Sequence, residues 1–372
     1  MKLGVNVIRL TRPFTGVGRY IECVLNEWSQ MEIPFDKIIL YAHSPIKQEQ
    51  VIFPLDRFEI EIVGPRVPDP LWEWKSLNTK ANEIDVLFCP SYTIPIGYPG
   101  PCVVTNHGPA ENTFLSYQWW RSQAYERLYK YSALKADRVL ACSHSVEKRL
   151  VKVYGVSQNK IKVTHLASSD AFHPIFDKEV LKQAKQRYLG ENCPYILFVG
   201  KLVRRHYIPN LLHAFAKARR AHSLPHKLLL VGPDYLNDQV AGIARNLGIK
   251  DAVIHIPYVK HVDLPPLYNA AELFVFPASE AEGFGIPVME AMACGTPVVT
   301  VNQGSLPEFS KGAAHLVQDS SVEQLKSGME KLLFDPSLRK ELAERGIERA
   351  RLMTWRKTAE NTLDMLWQVA NS

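Results

Sequence analysis

From one end of this chain to the other, short apolar runs alternate with helix-length amphipathic segments. A chain built this way has few options besides parallel sheets wrapped in helices. The runs fall at 3–8, 38–41, 59–63, 86–89, 102–105, 138–141 and 162–165, then at 195–199, 227–231, 253–256, 273–276, 297–301 and 315–317. Each is strand-sized and most are rich in β-branched residues, while the segments between them are long enough for the crossovers that parallel neighbours need. Runs such as Tyr195-Ile196-Leu197-Phe198-Val199 contain no charged residue at all. That is the pattern of strands covered on both faces.

The two series of runs divide the chain. Phe172-His173-Pro174 closes the first, a polar amphipathic segment at 177–189 follows, and Tyr195 opens the second. The sequence therefore predicts an α/β protein of two Rossmann-like domains, residues 1–183 and 184–353, with parallel sheets facing a central cleft. A length of 372 residues suits two domains. Ligands of such sheets sit at the carboxyl ends of the strands. A last helix is expected at 355–369, with Trp355, Leu363, Leu366 and Trp367 as its buried positions.

Composition narrows the function classes. With 46% apolar and 22% charged residues the chain is an ordinary globular protein, and a net charge of +6 spread over both halves argues against a dedicated nucleic-acid binder. Its six cysteines form no Cys-x-x-Cys pair, which suits a reducing cytoplasm. No apolar run approaches the ~20 residues of a membrane span, and Met1-Lys2-Leu3-Gly4-Val5-Asn6 enters a strand without a signal-peptide block. Asp-x-Asp, Gly-x-Ser-x-Gly and the phosphate-loop motif Gly-x-x-x-x-Gly-Lys-Ser/Thr are all missing.

The densest chemical signal is Glu282-Gly283-Phe284-Gly285-Ile286-Pro287-Val288-Met289-Glu290, continuing to Gly295 and Val299. Two glycines around Phe284 permit a tight turn, Pro287 fits the first turn of a helix, and Gly295 fits its end. Such a turn aims backbone N–H groups and a partial positive charge at an anion. Glu282 and Glu290 border the same pocket. Carboxylates repel a phosphate, so their partners are hydroxyls, and a sugar nucleotide supplies phosphate and hydroxyls together. A capped surface helix with two solvated glutamates is the plain alternative.

Residues 282–299 resemble the signature of the retaining glycosyltransferases of family 4 (glycosyl transferases group 1), which have the GT-B fold. The resemblance extends through Leu267-Tyr268-Asn269-Ala270-Ala271-Glu272 and Gly304-Ser305-Leu306-Pro307-Glu308. It implies that Glu282 lies against donor-sugar hydroxyls, that Glu290 holds the ribose, and that amides around Phe284, Gly285 and Ile286 meet the distal phosphate. It also implies that the final helix, 354–372, packs back onto the first domain, with the acceptor on that domain and the donor mainly on the second.

Three further groups take their meaning from the same resemblance. In Gly200-Lys201-Leu202-Val203-Arg204-Arg205-His206 the cations follow a strand end and would neutralise a diphosphate leaving group. Similar enzymes have Lys where this chain has His206, so Arg205 substitutes or His206 works protonated. An imidazole with an unperturbed pKa of about 6.5 is otherwise mostly neutral. Gly16 and Gly18 of Thr15-Gly16-Val17-Gly18 resemble the glycine loop that approaches the donor phosphates, and Ile21 replaces the third glycine of a dinucleotide fingerprint. His107 resembles a histidine that contacts the donor sugar, although Gly108 replaces the Asp that often follows it.

Residues 114–135 interleave Trp119, Trp120, Tyr125, Tyr129 and Tyr131 with Arg121, Arg127, Lys130 and Lys135. Aromatic rings with basic flanks suit a membrane interface, so peripheral contact at the inner face of a membrane is expected there. The reading is a metal-independent hexosyltransferase without a resident cofactor. It would move sugar from a nucleoside-diphosphate donor to a glycan or lipid-linked acceptor in polysaccharide or lipopolysaccharide biosynthesis. The alternatives are an inactive donor-binding partner or, within enzymes, a nucleotide-sugar epimerase or glycan phosphorylase.

Overall fold

A computed structural model describes residues 1–11, 16–80, 82–109, 119–236 and 239–372. Every expected run is a strand. The first sheet comprises β1 (Lys2–Asn6), β2 (Lys37–Ala42), β3 (Glu59–Ile62), β4 (Val86–Cys89), β5 (Cys102–Asn106), β6 (Arg138–Ala141) and β7 (Ile161–Val163), in the order β3-β2-β1-β4-β5-β6-β7. The second comprises β8 (Tyr195–Val199), β9 (Lys227–Val231), β10 (Val253–Ile256), β11 (Leu273–Phe276), β12 (Val298–Val301) and β13 (His315–Val317), in the order β10-β9-β8-β11-β12-β13. Neighbouring strands in both sheets are parallel; β8, for example, lies on β9 with Tyr195 opposite Lys227 and Val199 opposite Val231. The central strands β4, β8 and β11 are buried along their whole length, as their apolar sequences require.

The chain forms two compact units, Met1–Leu166 with Trp355–Ser372, and Ala167–Thr354. The division falls before the expected 183/184 boundary. The helix Lys178–Leu189 packs on the helix Leu264–Ala270, and the Tyr188 hydroxyl donates to Asp263 at 2.7 Å, so this helix belongs to the second unit. The final helix, Trp355–Ala370, returns to the first unit. There Trp28 Nε1 donates to the Ala359 carbonyl at 3.1 Å, and the Thr358 hydroxyl donates to that of His165.

Trp355, Leu363 and Leu366 are buried as expected, whereas Trp367 is 37% exposed. The buried stripe steps through Ala359, Thr362, Leu366 and Val369 at helical spacing, and Trp367 lies one residue off it. Its ring instead meets Phe35 edge-on at 5.6 Å. Of the segment expected at a membrane surface, residues 114–118 lie outside the described residues. In the following helix, Trp119–Lys135, Tyr129 is buried and stacked on Tyr92 at 4.5 Å, and the Tyr131 hydroxyl accepts from the Gly97 amide. Those two rings serve the unit's own packing. No helix among the described residues is long and apolar enough to cross a membrane.

Candidate active site

In the second sheet β8 leads to β9 and β10 on one side, while β11 leads to β12 and β13 on the other. The loops after β8 and β11 therefore diverge, and the gap at their carboxyl ends is where such sheets take ligands. The loop after β8 is pinned by close backbone contact. Gly232, with φ +137°, sits so near it that an added Cβ would stand 2.1 Å from the Gly200 carbonyl oxygen. The chain then passes through a 3-10 turn, Arg204–His206, into the helix Ile208–His222, whose Pro209 occupies its first turn.

The loop after β11 carries Glu282, Gly283, Phe284 and Gly285 into the helix Ile286–Ala293. Gly285 has φ +95°, and a Cβ there would stand 2.6 Å from Leu306 Cδ2. Phe284 turns its ring into the core, stacked on Phe309 at 4.6 Å. The buried Ser305 hydroxyl lies 3.0 Å from the Glu282 carbonyl and 3.1 Å from that of Phe284, fixing the turn from beneath. The amide of Val288 returns to the Gly285 carbonyl at 3.0 Å, whereas those of Gly285 and Ile286 meet no acceptor among the described residues. Two donors at a helix start are thus left for a ligand.

Beside them stands a charged cluster. Glu282 Oε2 lies 3.4 Å from Arg205 Nε and 3.2 Å from His206 Nε2. Burial raises the Glu282 pKa, but the His206 hydrogen bond and the Arg205 charge outweigh it and hold the carboxyl at about 2. His206 is not presented to solvent as the basic string suggested. Its side chain is 4% exposed, its Nδ1 donates to the Lys201 carbonyl at 2.7 Å, and its other nitrogen meets Glu282. Lys201 and Arg205 are partly exposed, and Arg204 is exposed. Glu290 is buried and accepts the Tyr268 hydroxyl at 2.8 Å. Tyr268 and Ser305 lay within the resembling stretches, but no charge or motif spacing marked them for a role.

The first unit has its own divergence point, between β1 and β4. Gly16 and Gly18 belong to the first turn of the helix Gly16–Ser29 rather than to a loop preceding it, and Thr15 lies outside the described residues. Gly16 is exposed, and a Cβ on it would meet no described atom within 4 Å. His107 follows β5 and donates from Nε2 to the Pro90 carbonyl at 2.8 Å, with Tyr20 and Tyr92 edge-on at 4.8 and 5.3 Å. Burial lowers its pKa to about 4, so at neutral pH the ring is uncharged and Nδ1 is an acceptor. Gly108 has φ +120°, a conformation that disfavours the Asp often found there in similar enzymes. Glu73, which no motif marked, is buried with Asn6 and Thr93 donating to it; desolvation raises its pKa to about 8.

Comparison with known proteins places these features in context. A family model described as glycosyl transferases group 1 matches residues 179–349, and one described as glycosyltransferase family 4 matches residues 14–167. O-antigen chain mannosyltransferase B of Escherichia coli is 30% identical over 230 residues, which make up 62% of this chain and 60% of that protein. The chain thus spans about 60% of the length of this curated relative. Among solved structures, sucrose-phosphate synthase from Thermosynechococcus elongatus superposes with a TM-score of 0.80 at 19% identity, covering 100% of both chains. HepE from Anabaena, solved with UDP and glucose, gives 0.79 at 16% identity, covering 99% of this chain and 100% of its own. At such identities the structures speak for the fold.

Proposed function

This chain belongs to the family 4 glycosyltransferases (glycosyl transferases group 1) with the GT-B fold, and on that premise we propose that it moves a hexose from a nucleoside-diphosphate sugar to a glycan or lipid-linked acceptor with retention of configuration. The observation that carries this reading is the pair of unpartnered amides at Gly285 and Ile286 beside the Arg205–Glu282–His206 cluster. The similarity to an O-antigen mannosyltransferase supports a hexose and a role in polysaccharide or lipopolysaccharide biosynthesis. The UDP and glucose bound by HepE support a sugar-nucleotide donor.

The donor belongs to the second unit. Its distal phosphate takes the amides of Gly285 and Ile286, its ribose hydroxyls take Glu290, and its sugar hydroxyls take Glu282. Breaking the anomeric bond places negative charge on the leaving diphosphate, which Lys201, Arg205 and the helix start stabilise without a bound metal. The acceptor hydroxyl attacks from the face the diphosphate leaves, and a departing phosphate oxygen takes its proton. We assign acceptor recognition to the first unit, where His107 Nδ1 accepts from a sugar hydroxyl and the exposed Gly16 leaves room for phosphate, whereas Gly18 is buried in the helix.

Titration calorimetry with uridine, guanosine and adenosine diphosphates tests the donor site. One of them binds, and Glu290→Gln weakens it about tenfold, the effect of losing one charge-assisted hydrogen bond to a ribose hydroxyl. An absence of binding to all three sinks the donor reading, and an unchanged affinity in the variant removes Glu290 from the ribose. Binding of a sugar nucleotide without turnover on any acceptor would favour the inactive donor-binding alternative.

We place the protein at the inner face of a membrane as well. The support is basic rather than aromatic, because Arg127, Lys130 and Lys135 are exposed while Tyr129 is buried. Co-sedimentation with vesicles containing anionic lipid is expected and should weaken at high salt. Protein that stays in the supernatant with such vesicles overturns this placement.

A further inference from the structure

His206 occupies the position from which a cation would be expected to reach the leaving phosphate, yet the structure turns it away. The ring is packed against Phe198 and Phe276, with centroids 5.8 and 5.1 Å away, and its side chain is 4% exposed. A histidine ring offers two nitrogens, on opposite sides, and both are taken. Nδ1 faces the carbonyl of Lys201 at 2.7 Å, so it donates. Nε2 faces Oε2 of Glu282 at 3.2 Å. Neither nitrogen is left for a phosphate oxygen.

These two bonds do something a phosphate ligand would not. Lys201 follows β8 and Glu282 follows β11, the strands on either side of the divergence point. One small buried ring therefore ties the basic loop to the loop that carries the proposed sugar-binding carboxylate. Arg205 reaches the same carboxylate oxygen from the same 3-10 turn at 3.4 Å, so the carboxylate is held by two adjacent residues of one turn. A lysine in place of His206 could not reproduce this, because its single ammonium sits on a flexible four-carbon stem and the two acceptors lie on opposite sides of the present ring.

Resting on the donor reading above, we propose that His206 is a positioning residue for Glu282 rather than a phosphate ligand, and that the cations meeting the leaving diphosphate are Lys201 and Arg205. Its contribution passes through the Glu282 carboxylate, so its removal costs turnover and not affinity for the nucleoside diphosphate.

The test is a double-mutant cycle on His206→Asn and Glu282→Gln, with His206→Lys as a third variant. For His206→Asn, kcat falls roughly 30- to 100-fold, at or somewhat below the ~10²–10³-fold loss of a preorganised donor that touches the reacting atoms. Affinity for the nucleoside diphosphate, measured by calorimetry, stays within about twofold. The double variant is no worse than Glu282→Gln within about threefold, as expected of two groups acting as a unit. His206→Lys does not restore kcat. Additive losses, a tenfold loss of nucleoside diphosphate affinity in His206→Asn, or recovery by His206→Lys would each overturn the proposal. If His206→Asn does not fold, a crystal structure of the wild-type protein, free and soaked with nucleoside diphosphate, decides instead. The Lys201 carbonyl and Glu282 Oε2 on the two ring nitrogens of His206 are expected in both, and a phosphate oxygen or any other partner on either nitrogen overturns the assignment. The free structure needs neither donor nor acceptor, so it stands apart from any failure of the donor reading.

Discussion

Glu282→Gln is expected to lower kcat by about 10²–10³-fold while changing the donor KM by no more than about threefold. The amide keeps the size of the side chain and removes its charge. In the wild-type protein that charge is fixed before substrate arrives, because Arg205 and His206 both point at Oε2. A carboxylate so placed gains most when the sugar ring becomes electron-poor as the anomeric bond breaks. The interaction therefore strengthens on the way to the transition state, and its loss appears in kcat. Turnover within threefold of wild type would take the carboxylate out of the reaction.

The same substitution has a signature in acid that needs no activity assay. The Glu282 carboxyl sits at about 2 against an ordinary value of 4.5. The folded state thus favours the charged form more than the unfolded chain does. This contribution to stability is present above pH ~4.5 and is lost as pH falls toward 2. Wild-type thermal stability should decline across that window, and Glu282→Gln should decline less steeply there. Parallel acid profiles would show that the carboxylate is not held by its two neighbours.

The strands were legible because their information is local. Thirteen apolar runs needed only their own residues and their spacing to be recognised, and all thirteen pair in parallel. The turn at Gly285 was legible for the same reason, since glycine, proline and a following helix specify a backbone shape within a few residues. The direction of His206 was not. It depends on Phe198, Phe276 and Glu282, which only the sheet brings beside the basic loop. The string Arg204-Arg205-His206 reads as three cations, and tertiary packing makes one of them a buried connector. The domain boundary escaped similarly, because a polar amphipathic helix shows which face it buries but not against which unit. Gly108 looked like a lost acidic residue, and its φ of +120° gives the backbone reason for glycine there.

Gly285→Ala is expected to reduce both stability and donor binding, through separable causes. Alanine at φ +95° carries the strain of a left-handed backbone, and its Cβ would meet Leu306 Cδ2 at 2.6 Å in a fully buried setting. Together these cost about 2–4 kcal/mol. For a unit the size of Ala167–Thr354 that is a fall in Tm of roughly 5–10 °C. Relief of the clash rotates the turn, so the amides of Gly285 and Ile286 no longer converge, and nucleoside diphosphate affinity drops at least about tenfold. Gly248→Ala separates the two effects. Gly248 has φ +68°, nothing within 4 Å of an added Cβ, and a place before the amino end of β10. It shares the backbone strain without touching the turn, so its Tm should fall by less and its affinity should hold. Should Gly285→Ala lose stability yet bind the nucleoside diphosphate as tightly as wild type, the helix start at Ile286 is not where the phosphate lies.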